Sequence, residues 1–140
     1  MTEYYNTAFK KFMDGDIDLL NDTIQAMLLD SGYTPNIDTD EFVDDISANE
    51  IVGGGYARKT LANPATTVDT ANDRCEFSSD DITGWNADTW TGARYMVIFR
   101  NSGADATSAL ICYIDFGSDK DAPLEVNTPA EGWFALGVCP

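Results

Sequence analysis

Histidine is absent from all 140 residues. That removes the side chain most often used as a general base near neutral pH, and with it every His-based triad and the two-His facial metal site. Positive charge is scarce: eight Lys and Arg stand against 24 Asp and Glu, a formal charge of −16. Such a surface repels phosphate backbones and anionic lipid, which argues against nucleic acid and membrane surfaces as partners, whereas a basic protein surface is attracted. Cysteine is limited to Cys75, Cys112 and Cys139, odd in number, far apart and without the CxxC spacing of zinc or dithiol sites. They read as three free thiols, Cys112 as a small buried hydrophobe in an apolar run, and the expected place of synthesis is a reducing cytoplasm. Long apolar runs are missing too. The opening MTEYYNTAFKKFM has no unbroken apolar stretch, and runs such as Met96 to Phe99 fall far short of a bilayer span, so neither a signal peptide nor membrane insertion is expected.

What is present is aromatic and β-rich. Seven Phe, six Tyr and three Trp within a 44% hydrophobic composition supply a core without help from disulfides or a metal. A chain of this length suits one domain, 1–140, burying about two-thirds of the surface its unfolded form exposes. The most informative stretch is Ala93 to Phe116, ARYMVIFRNSGADATSALICYIDF. Two runs of Tyr, Val, Ile and Phe flank a polar connector with Asn101, Ser102 and Gly103, the pattern of a hairpin at the centre of an antiparallel sheet.

Further strands are expected at Thr23 to Leu29, Tyr56 to Leu61, Thr66 to Asp69, Arg74 to Phe77, Leu124 to Val126 and Gly132 to Val138, and the hairpin runs extend over Trp90 to Arg100 and Ala109 to Phe116. Tyr4 to Met13 carries Tyr5, Ala8, Phe9 and Phe12 at helical spacing but opens on good strand residues, so helix and strand both stand. Thr39 is a candidate N-cap for a short helical turn near Glu41 to Ile46. Gly32 to Asn36, GYTPN, must be loop, because Pro35 extends the residue before it and Asn36 tolerates a turn. The expected fold is all-β: a single antiparallel β-sandwich or jelly-roll-like domain with one short helix.

Each candidate chemical constellation has a plainer reading. Asp14, Asp16 and Asp18 alternate as in a calcium loop, but Leu19 stands where the sharp turn needs glycine and Gln25 where the loop needs a bidentate Glu. Gly53-Gly54-Gly55 lacks the Lys-Ser/Thr ending of a phosphate loop and reads as a turn or bulge. The adjacent acids Asp44-Asp45 and Asp80-Asp81 are turn residues rather than a glycosidase pair, which needs two carboxyls facing each other across a cleft. Trp85, Trp90 and Trp133 read as core or interface, the alternative being a sugar-stacking platform. No catalytic residue, cofactor or metal is expected.

The acids are unevenly spread. Between Phe12 and Tyr56 there is no Lys or Arg, while eleven Asp and Glu accumulate. The two readings are a solvated acidic face that keeps the protein soluble and a patch that docks on a basic partner.

Taken in order, KFMDGDIDLLNDTIQAMLLDSGYTPN (Lys11 to Asn36), EFVDDI (Glu41 to Ile46), GGGYARKTL (Gly53 to Leu61) and ARYMVIFRNSGADATSALICYIDFG (Ala93 to Gly117) make the chain resemble a family of small tailed-bacteriophage virion structural proteins. The resemblance covers more than half the chain and is loosest over Pro123 to Pro140. It implies a non-enzymatic capsid decoration or cement protein on the capsid exterior, with the major capsid protein as partner, a possible homo-oligomer, and synthesis in the host cytoplasm. Tail or head-to-tail placement, or a virion-associated glycan-binding module, are the alternatives. On that reading the partner-binding candidates are Tyr33, Pro35, Asn36, Asp38, Asp40 and Glu41.

Overall fold

The computed structural model describes residues 2–137. Cys139, and the end of the strand expected to reach Val138, lie outside the described residues. In chain order the elements are β1 (Thr2–Tyr4), α1 (Asn6–Asp14), β2 (Ile24–Asp30), α2 (Val43–Ile46), β3 (Lys59–Thr60), β4 (Ala65–Asp69), β5 (Arg74–Ser78), β6 (Ile82–Trp85), β7 (Ala93–Arg100), β8 (Ala109–Lys120), β9 (Leu124–Val126) and β10 (Phe134–Gly137). All strand pairs are antiparallel, in a five-stranded sheet of order β1-β8-β7-β2-β3, a three-stranded sheet β10-β5-β4 and the pair β6-β9. The all-β, sandwich-like fold expected from the sequence is the one observed, and β7 of the central hairpin is the middle strand of the largest sheet. Among the described residues no helix is long and apolar enough to cross a membrane.

Strand alternation sorts the five-stranded sheet into two apolar faces. The inner face carries Ala26, Leu28, Met96, Ile98, Ile111 and Cys112 and packs against Phe77, Ile82, Trp85, Trp90, Trp133 and Phe134 of the smaller sheets and their connections. The outer face carries Met27, Leu29, Val97, Phe99 and Leu110 and meets Tyr5, Tyr33, Val43 and Ile46. The β7–β8 register shifts between Ile98 and Phe99, paired with Cys112 and Leu110 respectively. The bulge this inserts at Ile111 puts sequence neighbours Ile111 and Cys112 into the same cluster.

Both readings of the opening segment hold in succession: Thr2–Tyr4 is strand and Asn6–Asp14 is helix, so there are two short helices rather than one. Helix α1 buries Ala8 and stops at Gly15, whose φ of 78° suits glycine and whose N–H reaches the carbonyls of Lys11 and Phe12. Thr39 does not cap α2. The Asp45 carboxylate reaches back to the N–H groups of Glu41 and Phe42, both at 2.9 Å, so the helix starts at Val43.

The strand expected over Tyr56 to Leu61 shrinks to Lys59–Thr60. Upstream, the edge of β2 is closed by other groups: the Leu28 N–H donates to the Tyr56 hydroxyl at 2.9 Å, and Ile51 N–H donates to the Leu28 carbonyl at 3.0 Å. A phenol thus occupies the place of a strand partner. The triple glycine is a turn with all three φ values positive. Gly54 also lies so near the chain at Thr89-Trp90 that a Cβ would fall 2.3 Å from the Trp90 nitrogen.

Candidate functional site

Among the described residues no further strand covers the outer face of the sheet. Its lid is the segment from Tyr33 to Asn49, which contains α2 and a 3-10 turn, Ser47–Asn49. The lid is tied to the start of β8 by an isolated Phe42–Ala109 bridge and by Val43 N–H to Ser108 carbonyl and Leu110 N–H to Glu41 carbonyl, both 3.0 Å. Its apolar anchors, Val43 and Ile46, are buried.

Polar groups fix the rest. The Tyr33 ring is 6% exposed, and its hydroxyl lies 2.7 Å from an Asp40 carboxylate oxygen and 2.9 Å from the hydroxyl of Tyr5. The same Asp40 oxygen accepts from Asn36 N–H at 3.1 Å. Burial, first of all, pushes both phenols well above their ordinary range, so both stay protonated, Tyr33 donating to Asp40 and Tyr5 donating to the Tyr33 oxygen. Lys11 Nζ holds Glu41 at 2.6 Å and sits over the Phe42 ring, 4.7 Å from its centroid. Asn6 Nδ2 reaches Asp38 at 2.5 Å.

The six residues singled out from the sequence therefore lie together on this lid, in different roles. Tyr33 points inward and Asp40, half-buried, is its acceptor; Glu41 is half-buried and ion-paired; Asn36 and Asp38 are exposed; Pro35 is half-buried. Asp44 and Asp45 are exposed as well.

Pro35 also borders a cleft of about 280 Å³ with Glu3, Tyr95, Tyr113, Asp115 and Gly117. Register explains the grouping: Glu3 pairs with Tyr113 across β1–β8 and Tyr95 with Asp115 across β7–β8, which sets all four on the uncovered end of the outer face. The Tyr95 and Tyr113 rings meet edge to face at 6.0 Å, and Tyr33 stands edge-on to Tyr95 at 5.7 Å. Asp115 is engaged by Arg94, at 2.5 and 3.0 Å, and by the Gly117 N–H at 2.7 Å, contacts that lower its pKa. Burial raises the Tyr113 phenol first; the charge of Glu3, then Tyr95 and Asp115, add to the effect. Sequence reading missed Tyr95, Tyr113 and Glu3. The available signal was the alternation Tyr95-Val97-Phe99, which puts an amphipathic ring at the end of an apolar stripe.

Elsewhere the polar groups serve the fold. Arg58 joins Glu50 (2.7 and 2.8 Å) to Asp105 (2.6 and 3.0 Å) and lies over the Phe99 ring at 5.4 Å. Asp18 folds its own turn, accepting from the N–H groups of Leu20 and Asn21 and from the Asn21 amide, while Asp14 pairs with Lys10. Among the described residues no three His, Cys, Asp or Glu side chains converge as a metal cluster. Trp85, Trp90 and Trp133 are at most 2% exposed and offer no stacking platform. The Cys112 thiol is fully enclosed, and burial raises its pKa far above that of a reactive thiol.

No family model, curated protein or solved structure matches the chain.

Proposed function

We propose that this chain is a non-enzymatic structural protein of a tailed-bacteriophage particle, a decoration protein that binds the assembled capsid shell and stiffens it. The observation that carries the reading is the lid: an acidic segment held in one shape by its own hydrogen bonds, with Asn36, Asp38 and Asp44 left facing solvent. A preformed surface loses little entropy on docking, and its charge favours a basic partner. The order of the sequence segments that resemble virion proteins supports the same reading. Every basic side chain except Lys59 and Lys120 is paired with a carboxylate among the described residues, so the remaining acids stay available to an external partner. Many copies, each weakly held, then strengthen the shell together.

The test is to count copies per purified particle relative to the major capsid protein. Hundreds of copies place the protein on the capsid; six or twelve move it to the tail or portal region; absence from intact particles overturns the reading. Charge reversal at Asp38 and Asp44, both exposed, is expected to lower particle occupancy, most at low ionic strength.

A further inference from the structure

The cleft beside Pro35 has a composition that the lid alone does not explain. Two tyrosine rings and a proline form apolar walls, and the charged residues that line it are Glu3 and Asp115, the latter held by Arg94 from outside the lining. Arg94 and Asp115 satisfy each other, and the Arg94 guanidinium lies 5.7 Å from the Tyr95 ring centroid. Glu3 is different. It sits on β1, beside Tyr113 in register, with no ion pair to any described basic residue. With Asp115 neutralised by Arg94, the Glu3 carboxylate is the unpaired charge that lines the cleft among the described residues.

The geometry points to this cleft as the seat of a lysine side chain supplied by a basic protein partner, its stem against Pro35 and the tyrosine rings and its ammonium beside Glu3. An ammonium has three donors and no acceptor, and the residues lining the cleft include one carboxylate without an ion pair among the described residues, Glu3, and two phenols, Tyr95 and Tyr113. The ring faces add cation–π attraction, and the four-carbon stem gains apolar contact. Within the chain, Lys11 shows the same combination on a smaller scale, pairing with Glu41 while lying over Phe42. An arginine is less suited, because its planar fork is best used on a carboxylate reached from two sides, and Asp115 already fills that role for Arg94. This inference rests on the decoration-protein reading only for the source of the lysine.

The experiment is a titration of the isotope-labelled full chain with a blocked pentapeptide bearing a central lysine, followed by aromatic and backbone resonances. The expected result is a saturable set of shifts centred on Glu3, Tyr95 and Tyr113, about threefold to tenfold weaker binding in Glu3→Gln and in Tyr95→Leu, and loss of the shifts when the lysine is Nε-acetylated. Glu3→Gln removes charge from a partly exposed edge strand with little packing change, and thermal unfolding of both variants checks the fold. Shifts scattered over the acidic surface, equal binding of the acetylated peptide, or tighter binding of the arginine analogue would each overturn the inference. The titration contains no capsid, so its failure leaves the shell-binding reading untouched. Failure of particle incorporation, conversely, leaves lysine binding at the cleft intact.

Discussion

The two faces of the five-stranded sheet are closed by opposite means. The inner face is covered by strands and large rings, and the indole N–H groups find partners at the layer's margin: Trp85 donates to the Ala57 carbonyl at 2.9 Å and Trp133 to the Ser79 hydroxyl at 2.7 Å. The outer face is covered by a segment with almost no regular structure, whose shape depends on Tyr33, Asp40 and the Phe42–Ala109 bridge. The contrast separates duties. Apolar burial on both faces sets global stability, whereas the directional polar contacts of the lid set the form of a surface and can be changed without dissolving the core.

Four measurements sharpen or break that contrast. The largest effect is expected at Trp85, fully buried: Trp85→Ala should cost about 3–5 kcal/mol in urea unfolding. An equal loss on removing a polar contact of the lid would end the distinction. Next comes Arg58→Met, which leaves the half-buried Glu50 charge with the Tyr56 hydroxyl but no counter-charge and should cost about 2–3 kcal/mol while also loosening Asp105. Tyr33→Phe keeps the ring and removes the hydroxyl that Asp40 and Tyr5 share. About 1 kcal/mol is expected, together with faster amide exchange confined to the lid.

The smallest effect is a pH dependence at Asp105. The Arg58 guanidinium holds the folded-state pKa of Asp105 below its ordinary value. Its contribution is therefore full above the unfolded value of about 3.9 and vanishes as pH falls through the lower folded value. The stability difference between the parent and Asp105→Asn should shrink over that acidic window and stay flat between about pH 6 and 8. Solvent screening of this partly exposed carboxylate keeps the change under about 1 kcal/mol. A difference that grew on acidification would reverse the sign of the argument.

Legibility followed local content. β2, β7 and β8 were readable because dense β-branched and aromatic runs are flanked by turn residues, and the expected Leu124 to Val126 strand matches β9. β6, ITGW, escaped notice: it has four residues, includes Gly84, and owes its strand state to pairing with distant β9. The expected Thr39 cap failed because Asp45, later in the chain, competes for the same N–H groups with a charged acceptor. At the candidate site the loop and its acids were legible, but which of them turn inward was not. Tyr33 and Asp40 are directed by Tyr5, which is 28 residues from Tyr33 and absent from any local pattern.

β1 also joins the two layers. It pairs with β8, Tyr4 exchanges hydrogen bonds with the backbone of Ala135, and the Thr2 hydroxyl donates to the Trp133 carbonyl at 3.2 Å. These partners are 131 residues apart. Residues 2 to 135 must therefore all be available before this clasp can close, which makes it a late step of folding and puts the fold on the slow, millisecond-to-second side of the range for proteins dominated by distant pairings.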